Sequence, residues 1–122
     1  MNKILLVCML SGITAALFSH PPSDILLEFD PSSKILKVSV NHPVPEPRKH
    51  FIYEIHVFLG KKMILTQKFL SQNEKENQQA LYLMNDAAPG SDITVQADCN
   101  LYGKLKKSIK IPPDEKDPLL QK

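Results

Sequence analysis

Apolar and polar residues alternate along several short stretches of the chain, which is the spacing of β-strands. In the clearest stretch, residues 34–41, Leu36, Val38 and Val40 share one face, and Lys37 and Ser39 lie on the other. Six further stretches have strand composition, and most are separated by turn signals: 24–29, 51–59, 63–70, 80–84, 93–99 and 104–111. Seven short strands in roughly 100 residues predict an all-β, immunoglobulin-like β-sandwich of antiparallel strands.

The remaining stretches predict loops, an N-terminal signal and a C-terminal tail. Residues 71–79 are polar without apolar spacing, which predicts a surface loop. Residues 4–18 are almost uninterruptedly apolar, but about fifteen residues fall short of the roughly 20 that span a bilayer. We therefore predict a signal peptide over residues 1–19, a domain over 20–112 and a disordered charged tail over 113–122.

Signal cleavage would export the protein to the periplasm or the cell exterior. Cleavage after Ala16 and cleavage after Ser19 both fit, and an uncleaved N-terminal anchor is the alternative. The whole chain has 15 Lys and Arg against 13 Asp and Glu, and only Lys3 of these lies in the predicted signal. This near-neutral balance argues against nucleic acid as a partner. We also expect no stable membrane insertion after cleavage, and the sequence leaves the oligomeric state open.

The exported chain would keep one of its two cysteines, Cys99, because Cys8 lies in the predicted signal. A single thiol in an exported protein is free, crosslinks two chains or binds a metal. A buried free cysteine can also act as a small hydrophobe. His42 and His50 have the same ambiguity, since each could be a polar turn residue or a metal ligand.

Four motifs, in order, resemble the iron-binding domain of the desulfoferrodoxin and superoxide reductase family. They are Asn41-His42-Pro43 at a strand end, Lys49-His50-Phe51-Ile52-Tyr53-Glu54 at the next strand, Gln67-Lys68-Phe69-Leu70, and the turn Cys99-Asn100-Leu101-Tyr102-Gly103. The resemblance extends over residues 35–111. No single motif is specific, but their order on a chain of seven predicted strands favours the family.

The resemblance implies a non-haem iron centre with imidazole ligands and an axial thiolate. It assigns His42, His50 and Cys99 as ligands, and His20 lies near the distance at which the family places a further histidine. The implied activity is one-electron reduction of superoxide to hydrogen peroxide with an unidentified electron donor. Tyr102 stands where the family has a fourth histidine, and a phenol with a pKa near ~10 is a poor ligand for ferrous iron.

Other interpretations stay open. If cleavage follows Ser19, the α-amine and imidazole of His20 could chelate copper together with His42 or His50. A third interpretation is a metal-free binding or structural module. His56 is predicted to lie outside the site, because six strand residues would place it about 20 Å from His50. No oxyanion-hole motif that would indicate a hydrolase stands out in the sequence.

Overall fold

A computed structural model describes residues 20–113 of the chain. The predicted signal peptide over 1–19 and the predicted tail from residue 114 onward lie outside these described residues. Between residues 20 and 113 there is no helix of the length and apolar character needed to cross a membrane. The seven strands are β1 (Asp24–Asp30), β2 (Ile35–Asn41), β3 (Ile52–Leu59), β4 (Lys62–Lys68), β5 (Asn77–Leu83), β6 (Asp92–Cys99) and β7 (Lys104–Lys110).

The strands form two antiparallel sheets, which confirms the predicted all-β sandwich. One sheet has the order β1-β2-β5 and the other the order β4-β3-β6-β7. In a constant-type immunoglobulin domain the fourth strand belongs to the sheet of the first, second and fifth strands. Here β4 pairs with β3 instead, so that the second sheet has four strands.

The core lies between the two sheets. Each strand with alternating residues turns its apolar side chains inward, as period-two geometry requires. The fully buried side chains from both sheets include Ile25, Leu36, Val38, Val40, Ile52, Ile55, Val57, Ile93, Val95 and Ala97. The alternation predicted for residues 34–41 is therefore confirmed.

One strand begins three residues earlier than the sequence predicts. β5 starts at Asn77 rather than at residue 80, because Asn77, Gln78 and Gln79 pair with the end of β2. The buried Gln78 side chain is satisfied locally: its Oε1 accepts a hydrogen bond from Asn73 N–H at 3.1 Å, and its Nε2 donates to the Gln79 carbonyl at 2.8 Å. Side-chain hydrogen bonding thus allows polar residues in a strand, and the loop predicted for 77–79 is wrong.

The register places several strand ends at one end of the sandwich. Asn41 at the end of β2 pairs with Asp24 of β1 and Asn77 of β5. In the other sheet, Ile52 at the start of β3 pairs with Cys99 at the end of β6. Predicted ligands therefore approach one another from the segment after β2 (His42), the segment before β3 (His50) and the last residue of β6 (Cys99).

Candidate metal centre

His42 and Cys99 each extend the inward-facing row of a strand. Positions 36, 38 and 40 of β2 are completely buried, and His42 continues this row with no exposed surface. Its N–H donates to the Glu76 carbonyl at 2.9 Å, which carries the antiparallel pairing beyond the strand. Cys99 ends the buried row of β6 and is 6% exposed. Both side chains therefore point into the end of the core.

Asn100 fixes His50 beside Cys99. Its Oδ1 accepts a hydrogen bond from Phe51 N–H at 2.9 Å, and its Nδ2 donates to the Lys49 carbonyl at 3.0 Å. These two peptide groups flank His50 on either side. The side chain that follows the cysteine thus ties the turn after β6 to the residues that precede β3.

The His50 ring contacts the thiol directly. Its Nε2 lies 3.1 Å from Cys99 Sγ, and the Leu101 N–H donates to the same sulfur at 3.4 Å. The contact also resembles a cysteine–histidine nucleophile. However, Cys99 is buried, and the group of potential ligands around His50 contains no carboxylate that would orient the ring.

Three imidazoles meet at this end of the sandwich. The ring centroids of His20, His42 and His50 lie 4.7 to 4.9 Å apart. One nitrogen from each ring falls within 4.8 Å of the others, so that the group could hold a metal ion. We call His20, His42, His50 and Cys99 the inner cluster. The structure thus brings the three histidines into one group, and Cys99 adjoins this group through its contact with His50.

His20 reaches the inner cluster through the segment that precedes β1. Pro21 packs so closely on the Cys99–Gly103 turn that a Cβ at Gly103 would lie 2.6 Å from Pro21 Cβ, and Gly103 has a φ of 81°. A side chain at position 103 would therefore displace the segment that carries His20. Both ring nitrogens of His20 face carbonyl oxygens, Nδ1 that of Pro21 at 3.0 Å and Nε2 that of Pro43 at 2.9 Å. To bind an ion, His20 must release one of these contacts.

Gln72 determines which nitrogen of His42 carries the proton. The Gln72 Nε2 donates to the carbonyls of His42 at 2.7 Å and Glu74 at 2.9 Å, which turns Oε1 toward His42 Nδ1 at 2.8 Å. An amide oxygen only accepts hydrogen bonds, so Nδ1 donates. In neutral His42 the lone pair is then on Nε2, which faces the His20 carbonyl oxygen at 3.3 Å. Two acceptors that face each other repel, and a cation bound at Nε2 would remove the mismatch.

The surroundings of His42 and His50 favour the neutral form of both imidazoles. Burial lowers the pKa of His42, although the contacts with Gln72 and the His20 carbonyl oppose this shift. Burial also lowers the pKa of His50, and the positive charges that His42 and His20 would carry when protonated lower it further. Metals bind the neutral ring, so this shift keeps both side chains ready to act as ligands near pH 7.

The other two residues considered from the sequence lie elsewhere. Tyr102 is 62% exposed on the turn after β6. His56 belongs to a separate group with Glu54 and Asp98, which we call the outer cluster. Sequence reasoning missed Gln72, because a polar loop was predicted for 71–79. No periodic signal in this segment indicates that a single amide side chain is buried.

A scan against protein-family models finds no matching family, and searches of curated proteins and of solved structures find no similar protein. The chemistry of the inner cluster therefore has to be argued from its own geometry.

We predict that the stability of the metal-free protein falls between about pH 7 and pH 5.5 through His42 and His50. Their folded-state pKa lies below the unfolded value of about 6.5, so the unfolded chain takes up protons first as the pH falls. Urea unfolding at both pH values measures the loss. The His42→Gln variant should lose less free energy of unfolding over the same range. An equal loss in both proteins would contradict the assignment.

Proposed function

We propose that this protein binds one non-haem iron ion in the inner cluster, through His42, His50 and Cys99 with His20 as a further ligand, and reduces superoxide there. The observation on which the proposal rests is that three imidazoles meet at one end of the sandwich, with the buried Cys99 thiol 3.1 Å from one of them, His50. Imidazole and thiolate are ligands that suit iron.

The separation between His50 Nε2 and Cys99 Sγ would allow both atoms to bind one ion. With bonds of ~2.1 Å to nitrogen and ~2.3 Å to sulfur, two ligands lie ~3.1 Å apart at a right angle and ~3.6 Å apart at the tetrahedral angle. The observed distance is 3.1 Å. A hydrogen bond between thiol and imidazole accounts for this distance in the metal-free protein, and the same distance fits the right angles of five- or six-coordinate iron.

The surroundings of the ligands support the same proposal. Metal-bound histidines commonly donate their second N–H to an oxygen acceptor, which holds the ring and its tautomer. Gln72 Oε1 supplies that acceptor to His42. The Leu101 N–H donates a hydrogen bond to Cys99 Sγ, and hydrogen bonds to a metal-bound sulfur influence the reduction potential of the metal.

Reduction of superoxide to hydrogen peroxide takes one electron and two protons. Iron supplies the electron when bound, solvent supplies the protons, and a separate one-electron donor restores the ferrous state. Three imidazoles and one thiolate leave coordination positions open for superoxide. Because Tyr102 replaces the histidine that the family resemblance implies, the centre has one imidazole fewer than the family.

Copper is the second candidate metal, since a thiolate beside imidazoles is also a copper-type ligand set. Copper would gain the α-amine of His20 as a further ligand only if signal cleavage makes His20 the N-terminal residue. Intact mass of the exported protein tests that condition: a chain that begins before His20 has no terminal chelate there.

Iron binding predicts a thiolate signature that depends on Cys99. Protein loaded with ferrous iron without oxygen and then oxidised should show a thiolate-to-iron charge-transfer band, and Cys99→Ser should abolish it. The matched control is Ala97→Ser, which buries a hydroxyl at the neighbouring inward position of β6 and should keep the band. No retained iron, or a band that survives in Cys99→Ser, would overturn the proposal.

The activity predicts a product pattern that distinguishes reduction from dismutation. With a one-electron donor present, the iron-loaded protein should convert superoxide to hydrogen peroxide without releasing dioxygen, whereas dismutation releases both. Peroxide and dioxygen electrodes measure the two products together. Dioxygen release, or consumption no faster than in His50→Gln, would rule out reductase activity while leaving iron binding intact.

The position of Gln72 predicts an effect on metal affinity that is separate from stability. Gln72→Met removes the acceptor of His42 Nδ1 and should weaken iron binding by about 10–100-fold. Gln78→Met is the matched control, because Gln78 is equally buried and hydrogen-bonded without contacting a histidine. Both variants should unfold about 1–3 kcal/mol more easily. Equal iron affinity in the two variants would contradict the role of Gln72.

A further inference from the structure

The outer cluster lies on the solvent side of the four-stranded sheet. Glu54 and His56 are two residues apart on β3, and Asp98 of β6 is the cross-strand partner of Glu54. Their side chains are only 13% to 20% exposed. Asp98 and Cys99 are consecutive residues of β6, so the outer and inner clusters lie on opposite faces of the same sheet.

Three ligand-type atoms converge in the outer cluster. His56 Nε2 lies 3.0 Å from Glu54 Oε2 and 3.2 Å from Asp98 Oδ2. Ligands of one ion with bonds of ~2.1 Å lie ~3.0 Å apart at right angles and ~3.4 Å apart at the tetrahedral angle. Both observed separations fall within this range.

The sequence places like charges opposite each other at this point. Two carboxylates on directly paired strand positions repel. Lys68 and Lys104 pair with Glu54 and Asp98 on the flanking strands, but both are exposed, and Lys68 Nζ lies 4.0 Å from Glu54 Oε1. An exposed lysine at that distance compensates little. His56 can bring at most one positive charge, whereas a divalent ion would balance both carboxylates.

Neighbouring side chains hold the ligands toward one centre. Thr66 Oγ1 of β4 contacts His56 Nδ1 at 2.9 Å, which leaves Nε2 for the carboxylates. Gln96 Nε2 donates to Asp98 Oδ1 at 2.8 Å, which leaves Oδ2 for the centre. Outer contacts of this kind orient the ligands in protein metal sites. They come from β4 and β6, the two strands that flank β3, so the arrangement does not depend on a loop.

We propose that Glu54, His56 and Asp98 form a second metal site, which binds a divalent first-row ion such as zinc. The ring nitrogen selects against magnesium and calcium, which prefer all-oxygen sites, and the two carboxylates without a thiolate differ from the ligand set of the inner cluster. Three protein ligands leave a position for water or for a ligand from solution. This site does not rest on the proposed function of the inner cluster.

The test titrates metal-free full-length protein with zinc chloride in a calorimeter. Glu54→Gln and Asp98→Asn should weaken one zinc site at least roughly 10-fold, and that site should persist in Cys99→Ser. The control Glu28→Gln removes the same charge from the other sheet and should leave both sites unchanged. A binding curve that is identical in wild type and Glu54→Gln would overturn the proposal.

A second measurement follows the ring itself and does not depend on variants. In long-range proton–nitrogen NMR spectra, zinc should shift the Nε2 signal of His56, which Thr66 and the carboxylates hold in a defined orientation. If His56 only donates a hydrogen bond between the two carboxylates, its Nε2 signal stays unchanged at saturating zinc, and the proposal fails.

Discussion

The central constraint in this molecule is the burial of polar groups at one end of a small β-sandwich. His42 and Cys99 occupy positions that strand geometry turns into the core, and His50 lies beside them at 4% exposure. Buried polar atoms without partners cost about 1–3 kcal/mol each. The surrounding hydrogen bonds avoid this cost. Gln72 accepts a hydrogen bond from the His42 ring, and Asn100 hydrogen-bonds the peptide groups on either side of His50. The His50 ring in turn contacts the Cys99 thiol.

These contacts leave a mismatch at the buried His42, which a bound cation would relieve. Gln72 puts the His42 proton on Nδ1, so the lone pair on Nε2 faces another acceptor, the His20 carbonyl. A cation at that nitrogen turns the mismatch into a bond. The low pKa of both buried histidines acts in the same direction, because a neutral ring does not compete for the position with its own proton.

Alternation in the sequence was enough to predict the fold and part of the site. The row that contains Leu36, Val38 and Val40 continues to His42, so that the burial of this histidine follows from the same pattern. The sequence could not show Gln72, because a lone buried amide in a polar segment leaves no periodic signal. The distance between His50 and His56 along a strand was enough to predict that they belong to different sites. That His56 lies beside Asp98 could not be predicted, because it depends on the register between β3 and β6.

The two clusters illustrate how one sheet can present different chemistry on its two faces. Asp98 points outward, where it contacts His56 beside Glu54, and Cys99 points inward, where its thiol contacts the buried His50 ring. Thiolate with imidazole suits iron, and carboxylate with imidazole suits zinc. The family resemblance drawn from four sequence motifs remains a prediction, and the proposed iron site rests on the geometry of its own residues.

The central claim is that sulfur and imidazole nitrogen bind one iron ion in the inner cluster. X-ray absorption at the iron edge of protein loaded without oxygen tests it most directly. The account predicts one sulfur neighbour at ~2.3 Å, together with imidazole nitrogens at ~2.1 Å. A first shell of oxygen and nitrogen without sulfur would contradict it.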